Sequence, residues 1–251
     1  MLRSAIAVVY LALYILVMGP LLILHCMVTG SPELMYRIAV AGARFALVIC
    51  GIKVKVEGLE NIPPGACIFV ANHTSNADPP AVVGSIPRRV ALLGKKEVFR
   101  VPIFGTVLKL AGFVAVDRAN RDAAIASVNE ALEQLKRGVS FLVFPEGTRS
   151  PDGRLRPFKK GSFLMAIQAQ APIVPVSVVG AHKVMLKGEI GVHPGSVTVK
   201  FHPPVEVSGY TTEQRDELIA RVQAIVASGL PKDQQPLTQS KEEADSSLRP
   251  E

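Results

Sequence analysis

The sequence predicts an α/β protein with a mostly parallel sheet flanked by helices, preceded by an N-terminal membrane-associated helical hairpin. Three observations carry this prediction. Short apolar runs typical of buried strands alternate with segments of helical periodicity. Polar loops follow several of these runs, and residues 1–52 are far more apolar than the rest. The chain therefore divides into an anchor (1–52), an α/β domain (53–230) and a disordered polar tail (231–251).

The first part of the predicted anchor is a long uncharged stretch. No Asp, Glu, Lys or Arg occurs from Ser4 to Pro32, and AIAVVYLALYILVMGPLLIL is as long as the roughly 20 apolar residues that cross a bilayer. Pro20 can kink this helix or turn it back. A cleaved signal peptide that begins at Arg3 is the alternative, but the apolar part is long for a signal and no A-x-A-like site follows it.

The second part of the anchor is the apolar stretch IAVAGARFALVICGI, which is interrupted by Arg44 and edged by Arg37 and Lys53. Long basic side chains can hold their charges at headgroup level while their stems cover apolar surface. We therefore expect a second helix in or near the membrane interface.

The predicted strands of the α/β domain are recognised by apolar alternation or by short apolar runs. Ile52, Val54 and Val56 alternate with polar residues as in a half-buried strand, and the turn ENIPPG follows. The other candidate strands are residues 66–71, 89–93, 111–117, 139–144, 173–180 and 196–201.

The predicted helices lie between these strands. A short helix starts near Pro79, a looser helical stretch covers 94–110, and another helix covers 161–171. The clearest helix is 120–137, with Asn120 as N-cap and Gly138 after its end. Its expected core face is Ile125, Val128, Leu132 and Leu135.

A final helix follows a capping box formed by Thr211 and Gln214. Its expected core face is Leu218, Val222 and Ile225.

The positive charge is concentrated in one segment. The whole chain has a formal charge of +7, but residues 84–160 hold 15 Lys and Arg against 7 Asp and Glu, a net charge of +8. Such an excess indicates nucleic acid, anionic lipid or a phosphorylated small molecule. Nucleic-acid binders usually add aromatic residues for stacking, and this segment has no Trp or Tyr. With an anchor at the N-terminus, lipid phosphate is the favoured partner.

The three cysteines indicate neither a disulfide framework nor a zinc site. Cys26, Cys50 and Cys67 show no C-x-x-C spacing, and two of them lie in or beside the apolar segments. This usage fits a domain that faces a reducing cytoplasm.

The loop NHTSNAD carries the first candidate for chemistry, the pair His73 and Asp78. A neutral imidazole can take a proton from an alcohol near neutral pH, and a carboxylate that fixes its tautomer makes it a better base. Five positions place the two side chains about 140° apart on a helix, so the loop has to bend back for them to meet. Asp78 before Pro79 is also typical of a helix N-cap, and the two roles are compatible.

Two further loops are candidate phosphate sites. FPEGTRSPDG (144–153) follows a predicted strand; Arg149 suits bidentate phosphate binding and Gly147 allows close backbone approach. A solvated turn would explain this composition equally well. In GFVAVDR (112–118), Arg118 is either a second phosphate ligand or part of a surface pair with Asp117.

Several common motifs are absent from the sequence. It contains no G-x-S-x-G, H-E-x-x-H, P-loop or G-x-G-x-x-G pattern. Direct activation of an acceptor by histidine is therefore favoured over a covalent serine mechanism.

Four ordered blocks together resemble the glycerolipid acyltransferase family, and most closely the bacterial 1-acyl-sn-glycerol-3-phosphate acyltransferases. The blocks are NHxxxxD (Asn72, His73, Asp78), a glycine with an apolar strand and a terminal arginine (112–118), FPEGTRS (144–150) and an apolar VP segment (174–175). The stretch GKKEVFRVPIFGTVLKLAG also resembles the lysine–glutamate segment of the family. The match spans residues 54–207.

The resemblance implies a reaction and its participants. His73 would be the general base on the free hydroxyl of lysophosphatidic acid, with Asp78 holding the imidazole. That hydroxyl would attack the thioester of acyl-CoA or acyl-carrier protein, without an acyl-enzyme, a metal or a cofactor. The expected place is the bacterial inner membrane, with the catalytic domain on the cytoplasmic side and no nucleic-acid partner.

The resemblance also implies the residues that bind substrate. Glu146, Gly147, Thr148 and Arg149 would position the glycerol phosphate, joined by Arg118. Lys95 is implied as an oxyanion contact, with its neighbour Lys96 as the alternative. Other acceptors, such as a lyso-ornithine lipid or a lysophospholipid with a larger headgroup, stay open. A membrane-anchored lipid-binding protein without turnover is the alternative from another class, and an intact His73 and Asp78 speak against it.

Overall fold

The computed structural model of the chain describes residues 2–117, 119–186, 188–189 and 191–236. Its first two helices, α1 (Leu2–Thr29) and α2 (Glu33–Ile49), pack as an antiparallel hairpin. The hydroxyl of Tyr14 donates to the carbonyl of Ile38 at 2.8 Å. A Cβ on Gly42 would lie 2.4 Å from the ring of Tyr14, so the close approach of the two helices depends on that glycine.

Helix α1 has the length and composition of a membrane-spanning helix. Among the described residues it alone is long and apolar enough to cross a bilayer, and most of its surface is exposed rather than packed in a core. The helix continues through Pro20, so the predicted turn back at that residue does not occur. This exposed apolar surface is consistent with membrane association.

In the part of the chain that the structure describes, seven strands form one sheet. They are β1 (Ile52–Glu57), β2 (Ile68–Ala71), β3 (Val90–Lys95), β4 (Val114–Val116), β5 (Ser140–Val143), β6 (Ile173–Val179) and β7 (Gly195–Phe201). Their order across the sheet is β1-β7-β6-β2-β5-β3-β4, and every neighbouring pair is parallel except β6 with β7. All residues of the central strands β2 and β5 are buried, as expected for strands covered on both faces.

Six further α-helices lie within the described residues. They are α3 (Asp78–Val83), α4 (Phe104–Leu110), α5 (Arg121–Lys136), α6 (Gly161–Ala169), α7 (Ala181–Val184) and α8 (Arg215–Ser228). One face of the sheet packs against α2, α3 and α4, with α1 outside them, and the other face packs against α5, α6 and α8. The predicted fold class, a mostly parallel sheet flanked by helices, is confirmed.

The predicted helical stretch 94–110 differs most from the structure. Lys95 ends β3, a 3₁₀ turn covers Lys96–Arg100, and α4 begins only at Phe104. Ile103 separates the turn from α4 because its φ of 62° is incompatible with a continuous right-handed helix. Its side chain occupies the space left by Gly19 of α1, where a Cβ would lie within contact distance of Ile103.

One predicted core position is wrong, and a second lies at the edge of the core. Ile125 is 50% exposed, because the first half of α5 packs beside the three-residue strand β4 and is fully covered only from Ala131 onward. In α8 the buried face is Leu218, Val222 and Val226, with Ile225 partly buried at its edge.

The C-terminal part of the described chain is packed. The carbonyl of Gln234 accepts from the N–H of Leu155 at 2.8 Å, and Gln234 itself is buried. Residues 231–236 therefore belong to the folded domain. The remainder of the predicted tail, 237–251, lies outside the described residues.

The predicted capping contact before α8 forms, because the N–H of Thr211 donates to the side chain of Gln214 at 3.1 Å. The helix itself begins after this contact, at Arg215.

Candidate active site

The candidate site lies at the carboxyl ends of neighbouring strands. The NHTSNAD loop follows β2, and the FPEGTRS loop follows β5, which pairs directly with β2. Parallel strands bring the loops after them to the same edge of the sheet, where ligands of α/β proteins bind. The N–H of Ser150 donates to the carbonyl of His73 at 2.8 Å, so the two loops are joined by their backbones.

The imidazole of His73 and the carboxylate of Asp78 are in contact. Nδ1 of His73 lies 2.9 Å from Oδ2 of Asp78, and Asp78 is fully buried. The same Oδ2 accepts from the N–H groups of Thr74 at 2.6 Å and Ser75 at 2.7 Å, which bends the loop back onto the carboxylate. With Nδ1–H donated to Asp78, Nε2 is the nitrogen that can accept a proton.

The predicted capping role of Asp78 takes a different form in the structure. Asp78 is the first residue of α3, and Pro79 and Pro80 follow it in the first turn. Its carboxylate accepts from residues that precede the helix rather than from the N–H groups of the helix itself. The oxygen Oδ1 has no hydrogen-bond partner among the described residues. Asp78 therefore organises the loop that carries the imidazole.

One polar contact and one aromatic contact fix the position of this loop. The side-chain amide of Asn72 donates to the carbonyl of Val178 at 2.9 Å and accepts from its N–H at 2.7 Å. The ring of His73 stacks on Phe144, with ring centroids 4.4 Å apart and an interplanar angle of 29°. The first contact fixes the end of β2 to β6, and the second limits rotation of the imidazole.

Glu146 is buried beneath the two loops. It is 3% exposed; Oε1 accepts from the N–H of His73 at 2.6 Å and Oε2 accepts from the N–H of Arg156 at 3.3 Å. Burial raises the pKa of Glu146 to about 8, although these two hydrogen bonds oppose the shift. Both oxygens face backbone donors, so the geometry favours a positioning role over the headgroup contact that the resemblance implied.

A cleft of about 620 Å³ opens in front of the histidine. Its lining includes the polar side chains of His73, Asn76, Lys95, Thr148 and Arg149, with Gly147 beside them. Its apolar lining residues are Leu92, Leu93, Val98, Phe99, Phe104, Leu108, Phe113 and Phe144. A cleft lined by both basic and apolar side chains can hold a molecule that has an anionic group and a long apolar chain.

The other residues that the resemblance implied as substrate contacts are Lys95, with Lys96 as its alternative, and Arg118. Lys95 lines the cleft and lies 3.6 Å from Glu97, whereas the amine of Lys96 donates to Asp117. That contact lowers the pKa of Asp117. Of the two lysines, the geometry therefore favours Lys95 as the contact in the cleft. Arg118 lies outside the described residues.

The sequence reasoning missed Lys159. Its amine lies against Gly147 of the FPEGTRS loop, because a Cβ at that glycine would be 2.8 Å from Nζ. Lys159 also lines a second pocket of about 240 Å³ that shares Phe144 and Gly147 with the cleft. Its neighbour Lys160 instead pairs with Asp216 at 3.7 Å. The sequence FKKG does not indicate which of its two lysines lies beside the FPEGTRS loop.

Among the described residues, no three His, Cys, Asp or Glu side chains come together in a way that could hold a metal ion. The buried cysteines are all free thiols.

A histidine–carboxylate pair beside a cleft lined by basic and apolar side chains is the arrangement expected of an enzyme that activates a hydroxyl group on an amphipathic substrate. Residues 53–179, 127 of the 251 in the chain, match the family model named Acyltransferase. The chain belongs to the acyltransferase family, so the resemblance inferred from its four blocks is confirmed.

The relatives and a solved structure agree with this membership. The 1-acyl-sn-glycerol-3-phosphate acyltransferase of Escherichia coli (strain K12) is 33% identical over 229 residues, covering 89% of this chain and 90% of that protein. The protein of the same name from Limnanthes douglasii is 38% identical over 190 residues, covering 75% and 67%. The chain thus spans about two thirds of the length of this plant relative.

The crystal structure of the 1-acyl-sn-glycerophosphate (LPA) acyltransferase PlsC from Thermotoga maritima matches with a TM-score of 0.78 at 30% identity. It covers 100% of this chain and 97% of that one.

Proposed function

We propose that this protein transfers a fatty acyl group from an acyl thioester to the sn-2 hydroxyl of lysophosphatidic acid, giving phosphatidic acid for phospholipid biosynthesis. The activity is that of a 1-acylglycerol-3-phosphate O-acyltransferase, and its relatives carry the name 1-acyl-sn-glycerol-3-phosphate acyltransferase. The observation that carries the proposal is the contact of Asp78 with His73, which lines the cleft.

The proposed reaction proceeds in one addition and one elimination. Nε2 of His73 takes the proton of the acceptor hydroxyl as its oxygen attacks the thioester carbonyl carbon. A C–O bond forms, and the carbonyl oxygen takes up the negative charge. When the carbonyl re-forms, the C–S bond breaks and the leaving thiolate takes the proton from the imidazolium. Asp78 stabilises the imidazolium while it exists.

The proposed substrate positions follow the polar and apolar lining residues of the cleft. The acceptor phosphate binds beside Arg149 and the loop at Gly147, and Lys95 lies near the developing oxyanion. The acyl chain lies along the apolar wall that includes Phe99 and Phe104. Arg118 remains a proposed phosphate ligand on the basis of the resemblance alone.

The proposed donor is acyl-CoA or acyl-carrier protein, and no further cofactor takes part. The apolar hairpin of α1 and α2 would hold the domain on the cytoplasmic face of the inner membrane. There a soluble donor and a membrane-resident acceptor can reach the same cleft. The three free cysteines are compatible with that reducing compartment.

The acceptor is tested with purified protein and a panel of lysophosphatidic acid, lyso-ornithine lipid, lysophosphatidylcholine and monoacylglycerol. Each acceptor is combined with acyl-CoA and with acyl-carrier protein, and thiol release is measured. We expect the highest kcat/KM with lysophosphatidic acid. Higher turnover with another acceptor would overturn the headgroup assignment. Absence of thioester cleavage with every acceptor would favour the lipid-binding alternative.

Replacing Asp78 by asparagine tests the role of its charge. In Asp78→Asn the amide oxygen has to face the N–H groups of Thr74 and Ser75, because an NH₂ group there would oppose two donors. The oxygen still accepts Nδ1–H, so the tautomer of His73 is kept while the negative charge is lost. Hydrogen bonds to charged groups are worth about 1–2 kcal/mol more than neutral ones. We therefore expect kcat to fall about 5- to 30-fold.

The measurement for Asp78→Asn is kcat from thiol release at saturating substrates. A loss as large as that of a variant without the imidazole would show that the amide had turned and that the tautomer argument is wrong.

Lys159 and Lys160 form a matched pair for testing the phosphate end of the site. Lys159→Ala removes the amine that lies against Gly147, and we expect KM for lysophosphatidic acid to rise about three- to tenfold with little change in kcat. Lys160→Ala removes the same charge from an amine that pairs with Asp216, and KM is expected to stay within about twofold. Equal effects of the two variants would remove Lys159 from the site.

A further inference from the structure

Two concavities lie behind α3, on the side of that helix away from the catalytic cleft. An apolar trough of about 450 Å³ lies between α2, β1 and α3, and a basic groove of about 420 Å³ lies between α2 and the turn before β3. Both are lined by Arg44 and Gly84, so they adjoin at that point. Pro79 lines the cleft whereas Pro80 lines the trough, so α3 separates them.

The basic groove is strongly cationic. It holds four arginines, Arg37, Arg44, Arg88 and Arg89, and one acidic residue, Glu33. Two of the arginines are fixed by the fold. Nη1 of Arg88 donates to the carbonyl of Pro63 at 2.7 Å, and Nη1 of Arg89 donates to the carbonyl of Ala111 at 3.2 Å. Nε of Arg89 also lies 4.0 Å from Oε2 of Glu33, which offsets part of the charge of that arginine, so the four arginines leave the groove with a net positive charge.

The other two arginines are exposed on α2. Among the described residues, neither Arg37 nor Arg44 has a carboxylate within 4.0 Å. The stem of Arg44 lies against Gly84, where a Cβ would be 2.7 Å from Cγ of the arginine. The absence of a side chain at Gly84 thus places the guanidinium of Arg44 at the junction of groove and trough.

Arg37 and Arg44 lie on α2 where basic residues are expected if this helix contacts a lipid surface. The exposed large apolar residues of α2 are Leu34, Phe45 and Val48. At 100° per residue, Arg37 and Arg44 lie roughly 50–75° from the centre of that apolar stripe. They therefore lie at its edge, which is the level of lipid phosphates if the stripe faces hydrocarbon.

The apolar trough offers a surface for a hydrocarbon chain beside the arginines. Lys53 and Ser85 also line it, but most of its lining is apolar and comes from Leu47, Val48, Val54, Val56, Pro80 and Ala81. Val54 and Val56 belong to β1, which forms one edge of the sheet, and Val56 is exposed although apolar. An apolar trough that ends at a cationic groove matches one phospholipid, with its chain in the trough and its phosphate in the groove.

We propose that one membrane phospholipid with an anionic headgroup binds in this trough and groove, outside the catalytic cleft. Its phosphate lies between Arg37 and Arg44, with Arg89 fixed nearby, and one acyl chain lies against β1 and α3. The site does not depend on the proposed reaction, because none of these residues lines the cleft.

The test uses the full chain in non-ionic detergent and a short-chain phosphatidylglycerol as the probe. Native mass spectrometry counts bound lipid, and calorimetry measures Kd. We expect one saturable site, with short-chain phosphatidylcholine binding more weakly. In Arg37→Gln/Arg44→Gln, Kd for phosphatidylglycerol should rise at least tenfold, since each basic residue near a lipid phosphate contributes about fivefold. Arg44→Lys alone should keep most of the affinity.

Three controls make the result specific. Lys136→Gln/Arg137→Gln removes the same charge from exposed residues at the end of α5, on the other face of the sheet, and should leave Kd unchanged. Lys95→Gln changes the catalytic cleft and should also leave Kd unchanged. Thermal melting checks that each variant is folded. Equal losses in the α5 control, a loss in Lys95→Gln, or no saturable binding would each overturn the proposal.

Discussion

His73→Ala is expected to lower kcat by about 100- to 10,000-fold, the range for loss of a positioned general base. The protein should still fold, because the buried carboxylate of Asp78 keeps its hydrogen bonds from the N–H groups of Thr74 and Ser75 when the imidazole is removed. The two backbone bonds at this residue, from its N–H to Glu146 and from Ser150 to its carbonyl, do not need the imidazole. The measurement is thiol release from the donor at saturating lysophosphatidic acid.

Loss of a general base differs from loss of substrate binding, because kcat falls while KM for both substrates changes little. Combining His73→Ala with Asp78→Asn should cause no further loss, because the carboxylate acts through the imidazole. Circular dichroism and thermal melting are the controls for folding. Turnover within tenfold of the native protein, with the fold intact, would exclude His73 as the base.

Glu146→Ala is the second change expected to have a large effect. It leaves the N–H groups of His73 and Arg156 without their acceptor in a buried place, and each orphaned donor costs about 1–3 kcal/mol. We expect a lower urea midpoint together with a loss of kcat, since the backbone of His73 is no longer held. Glu146→Gln keeps one acceptor oxygen but turns an NH₂ group toward the other donor, so its effect should be intermediate.

The raised pKa of Glu146 gives this residue a pH signature. In the unfolded chain the carboxyl has its ordinary pKa of 4.5, whereas in the folded protein the pKa is about 8. Between these values the folded protein holds a proton that the unfolded chain has released, so this group makes stability fall as pH rises from about 4.5 to 8.

Glu146→Gln removes that titration. Its melting temperature should therefore decline less across this pH window than that of the native protein. Parallel curves for the two proteins would show that Glu146 is already ionised in the fold, with its two N–H bonds outweighing its burial.

The parts of this molecule that the sequence predicted well are those with a strong local signal. Buried parallel strands need continuous apolar runs, so β2, β5 and β6 were recognisable from composition. The contact of His73 with Asp78 was predictable as a possibility from their spacing and loop residues. The contact forms because the N–H groups of Thr74 and Ser75 donate to the carboxylate of Asp78 and so bend the loop. The sequence pattern alone does not predict that loop geometry.

The parts that were not predicted depend on contacts between distant segments. Glu146 looks like a ligand in its motif, and only its burial against the backbone of His73 and Arg156 shows a different role. Lys159 comes close to Gly147 only because the chain returns after the FPEGTRS loop to start α6. Ile125 continues a helical apolar pattern, yet the strand beside it is too short to cover it.

The bond between Asn72 and Val178 joins residues 106 positions apart, and this separation has a consequence during synthesis. A nascent chain that has left the ribosome only as far as α6 already carries both the NHTSNAD and FPEGTRS segments. It lacks β6, so β2 has no strand to pair with on that side, and the side-chain amide of Asn72 lacks its hydrogen-bond partner, the backbone of Val178. The histidine can therefore reach its working position only after the strand that contains Val178 has emerged and joined the sheet.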